Sequence, residues 1–223
     1  MKLINTIEIS PLQYSKEDFE LPEISDYPDP DDWFTKWEEA VSKLNFNFTT
    51  IEKGSCLVDI ETIDDDNLQM ILEVKLEDMD WNDPEVSDYV LAFDGGIALK
   101  INDKIPVHPN CCTDLSDIVN WRNIFTNPSS KWMQIWIGHP WVYSKRENGK
   151  VSFSEHTESE IEDFENIKII LEVDEAELRT ELEKMMEQQI NFKNRITAIL
   201  KKKKIKNAEE ISSLLAGVSG LRI

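Results

Sequence analysis

The chain has 223 residues and a mass of 25.9 kDa, enough for one substantial core with a small appendage but not for several large domains. Its 24 basic and 44 acidic side chains give a formal net charge of −20. A surface of that sign repels nucleic-acid phosphates and anionic lipid, so direct nucleic-acid binding is disfavoured and basic partners are attracted within a Debye length of ~8 Å.

The charge is unevenly spread. Residues 1–100 carry 7 basic and 25 acidic groups, residues 101–192 carry 9 and 17, and residues 193–223 carry 8 and 2. The opening MKLINTIEIS lacks the apolar core of a signal peptide, and no window approaches the ~20 apolar residues of a membrane span. Three Cys, an odd number with two adjacent, do not build a disulfide framework. A cytoplasmic protein without membrane contact is expected.

Taken in order, Leu3 to Ser10 alternates loosely and reads as a short edge strand. Tyr14 to Asp32, acidic and interrupted by Pro22, Pro28 and Pro30, reads as irregular. A helix capped by Asp31 or Asp32 follows, its aromatic face formed by Trp33, Phe34, Trp37, Ala40, Val41 and Leu44, and it is expected to pack on a sheet. Cys56, Val58 and Ile60 mark one strand, and Leu68, Met70, Leu72, Val74 and Leu76 a second, with Asp64-Asp65-Asp66-Asn67 as the solvated turn between them. That turn lacks the central Gly and late Glu of a calcium loop. Tyr89 to Phe93 and Ile97 to Ile101 read as a hairpin about Asp94-Gly95-Gly96.

The stretch from Ile105 to Phe153 holds four of the seven Trp, two of the three Cys and two of the three His. Ile105 and Val107 end a strand stopped by Pro106 and Pro109. Thr113 or Asp114 caps a helix whose seam is Leu115, Ile118, Val119, Arg122 and Phe125, with Trp121 off the seam. Trp132 to Ile137, apolar at both parities, reads as a central strand. Asn148-Gly149 marks a hairpin turn. A three-residue loop, Glu147 to Gly149, is preferred over a two-residue turn because it places Trp141, Tyr143, Val151 and Phe153 on one face, whereas the shorter turn splits the pairs.

Ser154 to Glu165 reads as an exposed loop and Ile167 to Val173 as a short buried strand. Asp174 with Glu177 caps the longest helix, in which Leu178, Leu182, Met185, Gln189, Phe192, Ile196 and Ile199 recur at helical spacing up to Lys201–Lys204. A last helix capped by Asn207 and Glu210 stops near Gly217. The fold class expected is α+β: an antiparallel, hairpin-rich sheet with a packed N-terminal helix, a central helix and a long C-terminal helix. Residues 1–173 form the core domain, and 174–223 form a helical segment packed on it or appended to it.

His108, Cys111, Cys112 and His139 are residue types that ligate zinc, and His108-x-x-Cys111 has a spacing for two ligands. Adjacent Cys reach one ion poorly, so burial of the thiols as small hydrophobes is preferred and no cofactor is expected, zinc being the alternative. The same four residues could instead form a Cys/His thiol enzyme, with a thiol at a helix N-terminus and a His as base, although Asp114 and Asp117 oppose a thiolate there. The templates of phosphate loops, nucleophile elbows and zinc-protease helices are absent. Trp132, Trp136, Trp141 and Tyr143 form either a core layer or an aromatic platform.

The order Phe93-Asp94-Gly95-Gly96, Pro109 with Cys111-Cys112, Asp114-Leu115, Trp121 and Trp136-Ile137-Gly138-His139-Pro140-Trp141 resembles a group of bacterial cytoplasmic proteins. Some members of that group look like immunity proteins of polymorphic or contact-dependent toxin systems. The resemblance implies a non-enzymatic acidic protein that neutralises a basic toxin by occlusion. Candidate contact residues are Asp64, Asp65, Asp66, Trp121, Trp136, His139 and Trp141. A structural or assembly protein, self-associating as a homodimer through the 174–200 helix, is a further alternative.

Overall fold

A computed structural model describes residues 1–14, 22–42, 48–81, 83, 85–128, 130–159 and 167–219. It is an α+β fold with two four-stranded antiparallel sheets, ordered β2-β1-β3-β4 and β5-β6-β7-β8. Among the described residues no helix is long and apolar enough to cross a membrane.

β1 (Lys2–Glu8) is a central strand, not the edge strand its loose alternation suggests. It pairs with β2 (Leu57–Asp59) on one side and β3 (Gly95–Ile101) on the other. The alternation is loose because its polar residues are buried too. Asn5 Nδ2 donates to the Met185 carbonyl at 2.9 Å, and Thr6 Oγ1 donates to the Gly96 carbonyl at 2.9 Å. β3 does not form a hairpin with residues 89–93, which run through a 3-10 turn (Val86–Tyr89) into irregular chain. Instead Gly95 and Gly96 open the strand at φ 132° and 142°, and a Cβ on Gly95 would lie 2.3 Å from the Thr6 carbonyl oxygen. Only glycine permits that approach. β4 (Lys104–Val107) closes this sheet as an edge strand, where Pro106 is tolerated.

Short helix α1 (Pro11–Tyr14) follows β1, so Tyr14 is buried helix and not irregular chain. Residues 15–21 of that stretch lie outside the described residues, as does Leu44 of the aromatic face. α2 (Pro30–Val41) is capped two to three residues earlier than expected: Asp29 accepts from the Asp31 amide, and Pro30 at the first helical position supplies a preset φ. Its aromatic face lies against the turn at Lys53 and Gly54 and contributes no ring to either core. Trp33 and Trp37 stack at 5.4 Å.

The expected second strand at 68–76 is helix α3 (Asp65–Lys75). The run satisfies two periods at once, because Ile71 is apolar as well as its even-numbered neighbours. The cap decides between them. Asp64 accepts from the Asn67 amide at 2.7 Å, Asp65 and Asp66 face the positive end of the helix dipole, and Leu68, Ile71 and Leu72 are buried together. The acidic run is therefore a helix start, not a hairpin turn.

A capping box between Asp114 and Asp117 starts a 3-10 turn (Leu115–Asp117) that leads into α4 (Ile118–Thr126). Its buried line is Leu115, Ile118, Trp121 and Ile124. Trp121, expected off the seam, is 1 % exposed on Phe153, while Val119, expected on it, is 42 % exposed. The phase slips because the first turn is 3-10, which advances fewer residues per turn than an α-helix.

In the second sheet β5 (Trp132–Ile135) is an edge strand, correcting its expected central place, and Met133 and Gln134 face solvent. β6 (Val142–Glu147) and β7 (Lys150–Ser154) pair through Glu147 and Lys150, so Asn148-Gly149 is a two-residue turn with φ 53° and 73°. The preferred three-residue loop is thus incorrect: right-handed strand twist selects the turn with two positive φ values. Val142, Val151 and Phe153 face the core, and Trp141 and Tyr143 point the other way. β8 (Ile169–Asp174) is the other edge. It is exposed at Ile169 and Ile170 where burial was expected, because only one neighbour covers it. Residues 160–166 of the preceding loop lie outside the described residues.

α5 (Glu175–Lys202) joins everything. Asp174 caps it by accepting from the Ala176 and Glu177 amides. Leu178, Leu182 and Met185 enter a core with α4, β6, β7 and Leu3 and Leu99 of the first sheet. Phe192, Ile196, Ile199 and Leu200 enter a second core with α3, Ile7, Val58 and Phe93. α6 (Ala208–Leu215) folds back on it, closed at Gly217 by bonds from the Gly217 and Val218 amides to Leu214 and Ser213. The Met185, Phe192 and Ile196 seam, which could have joined a second chain, is filled by the chain's own cores.

Phe192→Ala should cost about 3–5 kcal/mol in urea denaturation, since it empties a site between Phe93 and α3, whereas Val119→Ala should change stability by less than about 0.5 kcal/mol. Equal effects at the two positions would contradict the seam described.

Candidate functional site

Two loops cross between the sheets. The first runs from His108 to Asp114. It is stitched to the first sheet by the Gly95 amide on the Thr113 carbonyl and to the second by the His139 amide on the Cys111 carbonyl, both at 3.1 Å. The second runs from Trp136 to Trp141. Gly138, at φ 92°, lets the crossing close, because a Cβ there would sit 2.3 Å from the Cys111 carbonyl oxygen. The Asn110 amide donates to Ile137 at 2.7 Å, Asn110 Nδ2 donates to the Pro140 carbonyl at 2.6 Å, and the His139-Pro140 bond is cis.

Trp136, His139 and Trp141 form one aromatic group. The His139 ring meets both indoles edge-on, at 4.7 and 4.9 Å, and the indoles stack at 6.0 Å. His139 is exposed, Trp136 half-buried and Trp141 buried. Trp141 also pairs its backbone with Thr157 in both directions, which brings His156 over His108 with ring centroids 5.0 Å apart. Sequence reasoning missed His156, which sits in a polar run read only as loop. The three His of the chain therefore flank one crossing. Trp141 Nε1 and His156 Nε2 are buried without a hydrogen-bond partner.

The chemistry open to the group follows from these contacts. Cys111 and Cys112 are exposed, correcting their expected burial as small hydrophobes. The Cys112 thiol is held above its usual range by its hydrogen bond to Cys111, the opposite of the depression that activates a nucleophile. His108 and His139 are drawn to different aromatic partners, and among the described residues no three His, Cys, Asp or Glu side chains converge on a point where they could hold a metal ion. The four residues of the zinc and thiol-enzyme readings are neighbours in the fold without forming a ligand set.

The structure also redistributes the candidate contact surface. Trp121 is buried in the core on Phe153, and Trp141 is buried at the loop crossing under Trp136 and His139, so neither offers an exposed side chain. Asp64 is engaged as a helix cap, and Asp65 accepts from Arg195 Nε at 2.8 Å. Asp66, Trp136 and His139 remain accessible. Two other acidic places stand out. Asp29 at the cap of α2, Asp31, Asp32 and Glu38 on it, and Glu77, Asp78, Glu85 and Asp88 after α3, are exposed with no cation in ion-pair reach among the described residues. Tyr89 and Leu91, 61 % and 72 % exposed, border the second group. The basic carboxy-terminal segment is partly neutralised within the chain: Lys193 and Lys201 hold Glu209, whose pKa falls to about 2, and Lys203 pairs with Glu73.

Comparison of the chain with protein-family models, curated proteins and solved structures finds no match.

Burial, and then the neighbouring His108, hold the His156 pKa below the ordinary value of 6.5. The unfolded chain therefore binds a proton that the folded chain refuses. The contribution is complete above about pH 6.5 and is lost as pH falls from there toward the folded-state pKa. The stability difference between wild type and His156→Gln, measured by urea denaturation across pH 5 to 8 (roughly the range in which a histidine titrates), should shrink on the acid side. A pH-independent difference would place His156 in solvent.

Proposed function

We propose that this is an acidic protein that binds and occludes a basic protein partner through its amino-terminal half, the role implied by its resemblance to toxin-immunity proteins. One observation carries this reading. Among the described residues, Asp29, Asp31, Asp32, Glu38, Glu77, Asp78, Glu85 and Asp88 lie at the surface without a cation in ion-pair reach, while Lys193, Arg195, Lys201 and Lys203 of the carboxy-terminal segment are drawn into internal pairs. Such groups repel one another in the free protein and gain most from a partner that supplies the missing cations.

Tyr89 and Leu91 add apolar area of the kind that dominates binding energy once charge has steered the encounter. Lys36, the cation of α2, is already paired with Glu39 at 2.8 Å and does not neutralise the helix. A cytoplasmic location and a toxin as the partner belong to the same proposal.

The test is co-expression of the chain with each adjacent reading frame of its host. A neighbour that is toxic alone, basic, and rendered harmless and co-purified by this chain is the expected outcome. Replacing Asp29, Asp31 and Asp32 with Asn should slow association about tenfold at low salt and leave a smaller difference at high salt. If no neighbour is toxic and no basic protein co-purifies, the reading is wrong.

A further inference from the structure

We propose that Cys111 and Cys112 form a redox-active vicinal dithiol, which a low-molecular-weight disulfide converts to an intramolecular disulfide. Adjacent side chains of an extended chain point to opposite sides, but Cys112 adopts φ 67°, in the left-handed region, and the alternation is broken there. Both thiols are consequently exposed and adjacent, close enough for Cys111 to push the Cys112 thiol up. The backbone around them is fixed, since the Cys111 carbonyl accepts from His139 and the Asn110 amide is bound to Ile137. The pair is thus held together at the surface by the loop crossing.

The exchange balances without any group the protein lacks. One Cys thiolate attacks a sulfur of the disulfide RSSR, expelling RS⁻ and forming a mixed disulfide. The neighbouring Cys thiolate then attacks the protein sulfur of that bond, which breaks to release the second RS⁻. The two thiol protons end on the two leaving thiolates, so the protein loses two electrons and RSSR becomes two RSH. Adjacent Cα atoms stand ~3.8 Å apart, closer than the usual ~4.4–6.8 Å of a disulfide. The product is strained and therefore readily reduced again, the behaviour of a reversible switch rather than a structural bridge.

Cys56 serves as the internal control. Burial, and then nearby Glu8, push its thiol up to about 12, so it does not compete. A reporter is also built in. Cys111 Sγ lies 3.7 Å from the His139 carbonyl oxygen, and the His139 ring contacts both Trp136 and Trp141. Closing the disulfide moves this sulfur and alters the surroundings of the two indoles.

The experiment treats the full chain with oxidised glutathione, alkylates the remaining thiols after denaturation and analyses the tryptic peptide Ile105–Arg122, with tryptophan emission followed in parallel. The expected result is loss of two hydrogen masses from that peptide, full alkylation of Cys56, an emission change, and reversal of both by excess reduced glutathione. Cys111→Ser and Cys112→Ser should each stop at a glutathione adduct and show no emission change, with circular dichroism matching wild type. Absence of the oxidised peptide from wild type, or a disulfide that joins two chains or engages Cys56, overturns the proposal. The measurement reads thiol chemistry alone, so its result does not depend on whether a basic partner exists.

Discussion

The structure depends on one shared seam. α5 has 28 residues, about 42 Å at ~1.5 Å per residue, and its buried residues, like those of β1, enter both large cores. Each large apolar side chain buried along it stabilises the fold by roughly 1.5–3 kcal/mol. Apolar contact alone would let the helix slide. Polar contacts along the buried seam prevent that: the Leu3 amide donates to Glu181 at 3.1 Å, Asn5 donates to the Met185 carbonyl, and Gln189, fully buried between the cores, donates to the Leu115 carbonyl at 2.8 Å. The first two tie β1, and the third ties the 3-10 turn before α4, to successive turns of the helix, so both share a register set by α5.

The parts of this fold legible in the sequence are those where a single period and a cap agree. α5 with its cap and seam, the glycine stop of α6, and the place of the β6–β7 turn could be read, whereas the expected cap of α6 is not made: Asn207 is left-handed and its side chain accepts no bond from the helix. Where two periods coincide, as at Leu68 to Leu76, only Asp64 distinguishes helix from strand, and an acidic residue before an apolar run is also what a turn looks like. The place of a strand in its sheet was not legible at all. β1 is central and β5 an edge because of partners far away in the chain, and the groups that satisfy the buried Asn5 and Thr6 also lie far from them in sequence. The misplacement of Trp121 has a local cause, one 3-10 turn that shifts the phase of everything after it.

The candidate site was half legible. Clustering of Cys, His and Trp between residues 105 and 153 pointed to the crossing, but not to its geometry. His156 joins it only through the Trp141–Thr157 bridge, a pairing no local pattern announces. The exposure of both thiols follows from a left-handed residue at Cys112, where sequence offers no glycine or asparagine as a signal. The acidic surface was legible in amount but not in place: the run singled out at Asp64 to Asp66 serves helix α3, and the carboxylates that have no cation partner among the described residues lie on either side of it in the chain.

The bonds from β1 to α5 have a consequence for biosynthesis. The Leu3 amide and its Glu181 partner are separated by 178 residues, and Asn5 and Met185 by 180. Loop closure of that length comes late, and a protein rich in such contacts folds slowly. During translation β1 emerges long before the helix that covers it, so the apolar faces packed on α5 stay open until that helix has followed. That interval is when a chain of this kind is most exposed to chaperones and to aggregation, and the many like charges of its early segments keep nascent copies apart in the meantime.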